Sequence, residues 1–209
     1  MASWLTIVLP GAGYGPLGAV LRLPVLALEA AGATTATVTY PPRTATEEPI
    51  WWATLHEAVA DQVGSAIAHA QPSRVTFVAK SLGTVALAAL DASGLVEMGV
   101  DAIWLTPLFG QPEVRRGAVE RHWRSLLVAG GADSYHHAEG HEEVRQALGA
   151  WSLVLDGADH ALEVEGNPLA TVEHLRCLTA AVINFSHLRP ITRRHHRSLR
   201  TAVTRRQLL

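Results

Sequence analysis

Ser81, Asp133 and His160 are the residues whose types and order suit one chemistry, nucleophilic attack on a carbonyl carbon. A serine hydroxyl is a weak nucleophile, so it needs a base within hydrogen-bond reach, a group that orients the base, and donors aimed at the developing oxyanion. Ser81 sits at the corner of Ala79-Lys80-Ser81-Leu82-Gly83, where the β-branched and aromatic run from Arg74 to Val78 gives way to an alanine-rich helical run. A strand, a small-x-Ser-x-small turn and a helix describe an elbow that pushes a strained serine out at the carboxyl end of a strand. Ala79 and Gly83 are small, as a turn pressed against neighbouring backbone requires. His160, after the run from Ser152 to Leu155, is the candidate base, and Asp133, after the run from Ser125 to Ala129, is the candidate orienter. Asp156 and Asp159 are closer to His160 in sequence. Asp133 is preferred because its loop should lie beside that of the last strand, and Asp156 is the fallback.

Those side chains need a frame. Trp4 to Leu9 is a continuous apolar run ended by Pro10-Gly11, as in a strand buried on both faces. Gly11-Ala12-Gly13-Tyr14-Gly15-Pro16 then forms a loop that lets backbone approach a ligand. A helical pattern follows from Leu17 to Ala31, a strand from Thr35 to Tyr40, and a polar loop from Arg43 to Pro49. Trp52, Leu55, Val59, Val63 and Ile67 recur at helical spacing and should face a sheet. Ala102 to Leu105 is a further strand, Pro112 to Trp123 a short polar helix, and Pro168 to Phe185 carries the spacing of a closing helix. Six strands alternating with helices predict an α/β fold: a doubly wound, mostly parallel sheet with helices on both faces. Ligands then gather beyond the carboxyl ends of the strands.

The order Ser81, Asp133, His160, the AKSLG elbow, LPGAG after the first strand, and GGAD and DGADH after the last two resemble a small, capless α/β-hydrolase over residues 4 to 186. The resemblance implies a Ser-His-Asp triad and an oxyanion hole of two backbone amides, one after the nucleophile and one in the loop after the first strand. Carried onto this chain, those amides belong to Leu82 and Ala12. The family usually has glycine where Ala79 stands, and many members have histidine where Pro10 stands. The implied activity is hydrolysis of an ester or thioester of a small-molecule acyl substrate, without cofactor or metal. Only Pro107 to Pro112 is available between a strand and the next helix, too little for a cap domain. Tyr14, Trp51, Trp52 and Phe109, with Leu82, are candidates for an apolar rim, although the two tryptophans equally suit the start of a packed helix. Lys80, beside the nucleophile, is unusual in a buried setting.

Two other chemistries compete. Gly13-Tyr14-Gly15-Pro16-Leu17-Gly18 matches G-x-G-x-x-G between strand and helix, a nucleotide-binding signature, but no acid follows the second strand and Pro16 is awkward in a pyrophosphate turn. His136, His137, Glu139 and His141 suggest a metal site, but with a spacing that fits neither H-E-x-x-H nor the cysteine and histidine zinc patterns. A hydrolase fold serving only as a binding module is a third reading.

With 209 residues, the chain is one domain, 1–188, plus a tail, 189–209. The tail carries seven arginines and no acid, leaving the other 10 basic and all 19 acidic residues in the body, about −9 against +7. It reads as a solvated terminus, or one lying on the protein's own acidic surface; the sharper alternative is contact with an anionic surface, although no interleaved aromatics point to nucleic acid. The start lacks the basic residues of a secretion signal, and no apolar run reaches membrane-spanning length. Cys177 has no partner for an internal disulfide, so a reducing compartment, the cytoplasm, is expected.

Overall fold

The computed structural model describes residues 3–43 and 48–187. The arginine-rich tail and part of the expected polar loop after Arg43 lie outside the described residues. Continuous apolar runs become strands covered on both faces, because a parallel strand between two helix layers has no solvent side. β1 (Trp4–Leu9), β3 (Arg74–Lys80), β4 (Gly99–Leu105) and β5 (Arg124–Gly130) are of this kind, with only their first residues less than fully buried. β2 (Thr34–Thr37) and β6 (Trp151–Leu155) form the more exposed edges. The sheet order is β2-β1-β3-β4-β5-β6, and every pair is parallel.

Helices alternate with these strands: α1 (Ala19–Ala30), α2 (Glu48–Ala70), α3 (Leu82–Ala89), α4 (Pro112–Glu120), α5 (Ala138–Leu148) and α6 (Pro168–His187). Alternate residues of a strand point to opposite faces. Val8, Val78, Ile103 and Val128 therefore meet Val20, Leu21, Val25 and Leu28 of α1 and Leu178, Val182 and Phe185 of α6. Ile7, Phe77, Trp104 and Leu127 meet the other layer, through Leu55, Val59 and Val63 of α2, Leu87 of α3, Val114 of α4 and Val144 of α5. The buried stripe of α2 begins at Trp51, and Trp52 lies beside it, half-buried. The doubly wound sheet with helices on both faces is the one the sequence predicts, and among the described residues no cap domain interrupts it: residues 106–111 alone join β4 to α4.

Two features fix the ends of the sheet. At its amino end the fully buried Asp101 of β4 accepts from Arg74 at 2.7 and 2.9 Å and from Arg124 at 2.7 and 3.0 Å. The same arginines donate to the carbonyls of Ser186 and Phe185, which binds the last turn of α6 to β3 and β5. At its carboxyl end, chain progression reverses between β1 and β3, because β2 lies on one side of β1 and β3 on the other. Such a reversal opens a crevice beyond the strand ends. The loop after β1 and Ser81 meet there.

Candidate active site

Ser81 is the residue between β3 and α3, with φ +50° and ψ −112°. A non-glycine residue with this backbone is strained by about 1–3 kcal/mol, and the surroundings must hold it. They do so on each side. The Ser81 amide donates to the Leu105 carbonyl at 3.0 Å, extending the ladder of β3 with β4, and the Ser81 carbonyl accepts from the amide and hydroxyl of Thr84. Thr84 is fully buried, and its hydroxyl also accepts from the Leu108 amide, tying the elbow to the loop after β4. Gly83 is required by close approach: a Cβ there would overlap the Leu9 carbonyl. Ala79 is fully buried within the sheet.

The loops after β5 and β6 are sewn together by backbone. Gly131 donates to the Leu155 carbonyl at 2.8 Å and Ala132 to the Ala158 carbonyl at 2.9 Å. Gly130 makes this possible, since a Cβ there would strike the Ala158 and Asp159 carbonyls. The result places Asp133 Oδ2 2.8 Å from His160 Nδ1, and His160 Nε2 2.8 Å from Ser81 Oγ. A carboxylate only accepts, so Nδ1 carries the proton and Nε2 is left to accept from the Ser81 hydroxyl. The second Asp133 oxygen accepts from the Tyr135 amide at 2.8 Å, and the Asp133 side chain is 2% exposed. Asp156 is exposed, and Asp159 accepts from the Ala161 and Glu163 amides, shaping the turn after His160.

Of the two amides expected at an oxyanion hole, that of Leu82 belongs to the residue directly after Ser81. Among the described residues neither Ala12 nor Leu82 donates its amide to a protein oxygen. Gly11 brings the first loop close, with the position of its absent Cβ 3.4 Å from Ser81 Cβ.

The expected apolar rim is corrected in part. Trp51 is 7% and Phe109 1% exposed; both belong to the core, Phe109 between Trp104 and His141. Each follows its element inward: Trp51 starts the buried stripe of α2, and the short connection to α4 turns Phe109 under α5. Trp52 is half-buried over a groove of 430 Å³ between α2 and α4, and Tyr14 is half-buried in the loop after β1. Tyr135, which nothing in the sequence singles out, lies exposed with its ring 4.9 Å from that of His160. Thr84 is equally silent in the sequence, because a threonine in a helix carries no sign that its hydroxyl turns back onto the elbow. A larger groove of 820 Å³, lined by Asp159, Glu163, Glu165 and Thr171, runs behind the His160 loop and includes neither Ser81 nor His160.

Both rival motifs have structural employment. The Tyr14 hydroxyl accepts from the Val20 amide at 3.2 Å, so the tyrosine within the G-x-G-x-x-G match caps the amino end of α1, where a pyrophosphate would have to sit. In the histidine-rich piece, His137 caps α5 by accepting from the Gly140 amide, and the buried His141 bonds Ser152 at 2.8 Å. Burial pushes His141 down to about 4, so it is neutral.

No protein-family model and no curated protein matches the sequence. Solved structures do resemble it. Ferulic acid-bound Est1E from Butyrivibrio proteoclasticus aligns with a TM-score of 0.67 and 16% identity over 88% of both chains. An alpha-beta serine hydrolase homologue from Coxiella burnetii aligns with a TM-score of 0.63 and 14% identity, over 88% of this chain and 85% of that one. A predicted CIB-like hydrolase from Thermoplasma acidophilum gives 0.63 and 14% over 86% of both chains. The chain has an α/β-hydrolase-like fold.

Proposed function

We propose that the chain is a serine hydrolase that cleaves an ester or thioester through an acyl-enzyme intermediate. The observation that carries this reading is the unbroken relay from Ser81 Oγ through the His160 imidazole to Asp133 Oδ2, with both contacts at 2.8 Å. Ser81 Oγ attacks the carbonyl carbon while His160 Nε2 takes its proton, and Asp133 holds the tautomer and offsets the imidazolium charge. The Ala12 and Leu82 amides receive the oxyanion; one such donor contributes about 3–4 kcal/mol to the transition state. Collapse of the tetrahedral intermediate breaks the bond to the alcohol or thiol, which leaves with the proton from His160. Water, deprotonated by His160, then attacks the acyl-serine and frees the acid. No step calls for a cofactor or metal. The serine hydrolase and hydrolase names of two of the similar structures favour the same chemistry, and the short connection from β4 to α4 favours an open mouth with a small-molecule acyl substrate.

We place the catalytic unit in residues 1–188, with the arginine-rich stretch 189–209 as an appendage, and the lone Cys177 favours the cytoplasm. No helix among the described residues is long and apolar enough to cross a membrane. The test is labelling by a fluorophosphonate, followed by turnover of nitrophenyl esters and acyl thioesters of increasing chain length. Ser81→Ala should lose both labelling and turnover. Undiminished ester hydrolysis by that variant would overturn the mechanism.

A further inference from the structure

Among 17 basic residues the chain has a single lysine, Lys80, and it immediately precedes the nucleophile. Its side chain leaves the elbow on the face of the sheet covered by α1 and α6, and the residue is 1% exposed. An ammonium has three protons and no acceptor, and withdrawing it from water is costly unless those protons are engaged. Here Nζ donates to the His160 carbonyl at 3.0 Å and to the Thr106 hydroxyl at 3.3 Å, and stands 4.6 Å from the centre of the Tyr14 ring. An apolar side chain would fill the same space without that cost, so the bonds are what the charge brings to the site.

The first bond has a special acceptor, the carbonyl of the candidate base itself. His160 follows β6, three strands from β3 in the sheet. At about 4.8 Å per strand, its loop must lean back across β4 and β5 by roughly 14 Å to reach Ser81. The loop's own bonds, from Asp159 to Ala161 and Glu163, set its local shape but do not tie it to β3. Lys80 does, with Thr106 at the end of β4 as an intermediate point. The tetrahedral ammonium suits these divergent acceptors, whereas the flat fork of an arginine is built for a carboxylate.

We infer that Lys80 is a positioning residue, whose ammonium ties the His160 backbone to the elbow and so fixes the imidazole against Ser81. This rests on the hydrolase reading above. The ionisable groups around the ammonium are Asp133 after β5, Asp159 and His160 after β6, and Tyr14 after β1. Burial lowers the lysine to about 8 while the two carboxylates act to raise it, so at neutral pH the charged form makes these contacts.

Lys80→Met keeps the length without a donor, and Lys80→Gln keeps a donor without charge. In Lys80→Met, fluorophosphonate labelling and ester kcat should fall roughly 10- to 100-fold, as expected when a reacting group shifts by about 1 Å. KM should stay within about twofold, because substrate binding is not what was removed. The His160 Nδ1 proton resonance, assigned by its disappearance in His160→Gln, should broaden through exchange in Lys80→Met and do so less in Lys80→Gln. Wild-type labelling and an unchanged resonance in Lys80→Met would overturn the inference. If the wild-type protein is itself not labelled, the hydrolase reading fails, and the resonance, which needs no turnover, still decides whether Lys80 holds His160. Should Lys80→Met not fold, Lys80→Gln is judged by the same two measurements.

Discussion

A lysine buried next to a nucleophile sets stability against positioning at one residue. The Lys80 amine drops from 10.5 to about 8, chiefly through desolvation. Below pH 8 both folded and unfolded chains carry the charge, and the folded state bears the full penalty of burying it. Between about 8 and 10.5 the unfolded chain binds more protons, so stability rises with pH across that window. The depression corresponds to about 3 kcal/mol. Burial raises Tyr14 and Tyr40, whose contribution runs in the opposite direction from about pH 10 upward, where the unfolded tyrosines begin to ionise. Comparison with Lys80→Met isolates the lysine: from pH 7 to 10.5 the unfolding free energy of the wild type should gain about 3 kcal/mol relative to the variant. Because the chain has one lysine, the Cε resonance of selectively labelled lysine reports the same event, and its midpoint should fall near 8. A midpoint near 10.5 would show an ammonium that water still reaches.

At the scale of elements, the site depends on strand ends held in register, and the opposite end of the sheet contributes to that. Asp101 bridges the two arginines of β3 and β5, whose outer donors hold the last turn of α6. Asp101→Asn removes the charge that both arginines face, with the amide left fully buried. The expected loss is about 3 kcal/mol, the low end for breaking a buried pair, because both arginine side chains keep some solvent contact. A lower denaturant midpoint at an unchanged slope would register it. Fluorophosphonate labelling per folded molecule should stay at the wild-type rate, since the trio lies at the amino end of the strands and Ser81 at the carboxyl end. A labelling defect in fully folded Asp101→Asn would mean that the trio also sets the strand ends around Ser81.

Across the whole molecule, charge divides unevenly: about −9 on residues 1–188 and +7 on the rest. Part of the negative charge, Asp159, Glu163 and Glu165, lines the groove behind the His160 loop. If the body is the catalytic unit, a chain ending at Leu188 should be labelled by a fluorophosphonate as fast as the full chain, at both low and high salt. A salt-dependent difference between the two would instead place the arginines near the mouth, since exposed charges lose their mutual influence as ionic strength rises.

Apolar runs, turn residues and helical spacing were enough to lay out the alternating strands and helices, because a parallel sheet between two helix layers writes burial directly into local sequence. The positions of Ser81, Asp133 and His160 were legible for the same reason: each follows a strand, and the fold collects strand ends in one place. Side-chain direction was not legible. Trp51 and Phe109 look like a binding rim in sequence and are core, because one residue of rotation on a helix or in a short connection separates the two. Thr84 and Tyr135 carried no signal: a helical threonine gives no sign that its hydroxyl turns back three residues onto Ser81, and Tyr135 and His160 lie in segments whose sequences say nothing of one another. Lys80 was visible only as an oddity beside the nucleophile. Its partners, the His160 carbonyl and the Thr106 hydroxyl, are 80 and 26 residues away in the chain, and only tertiary structure brings acceptors from two other strand ends onto one ammonium.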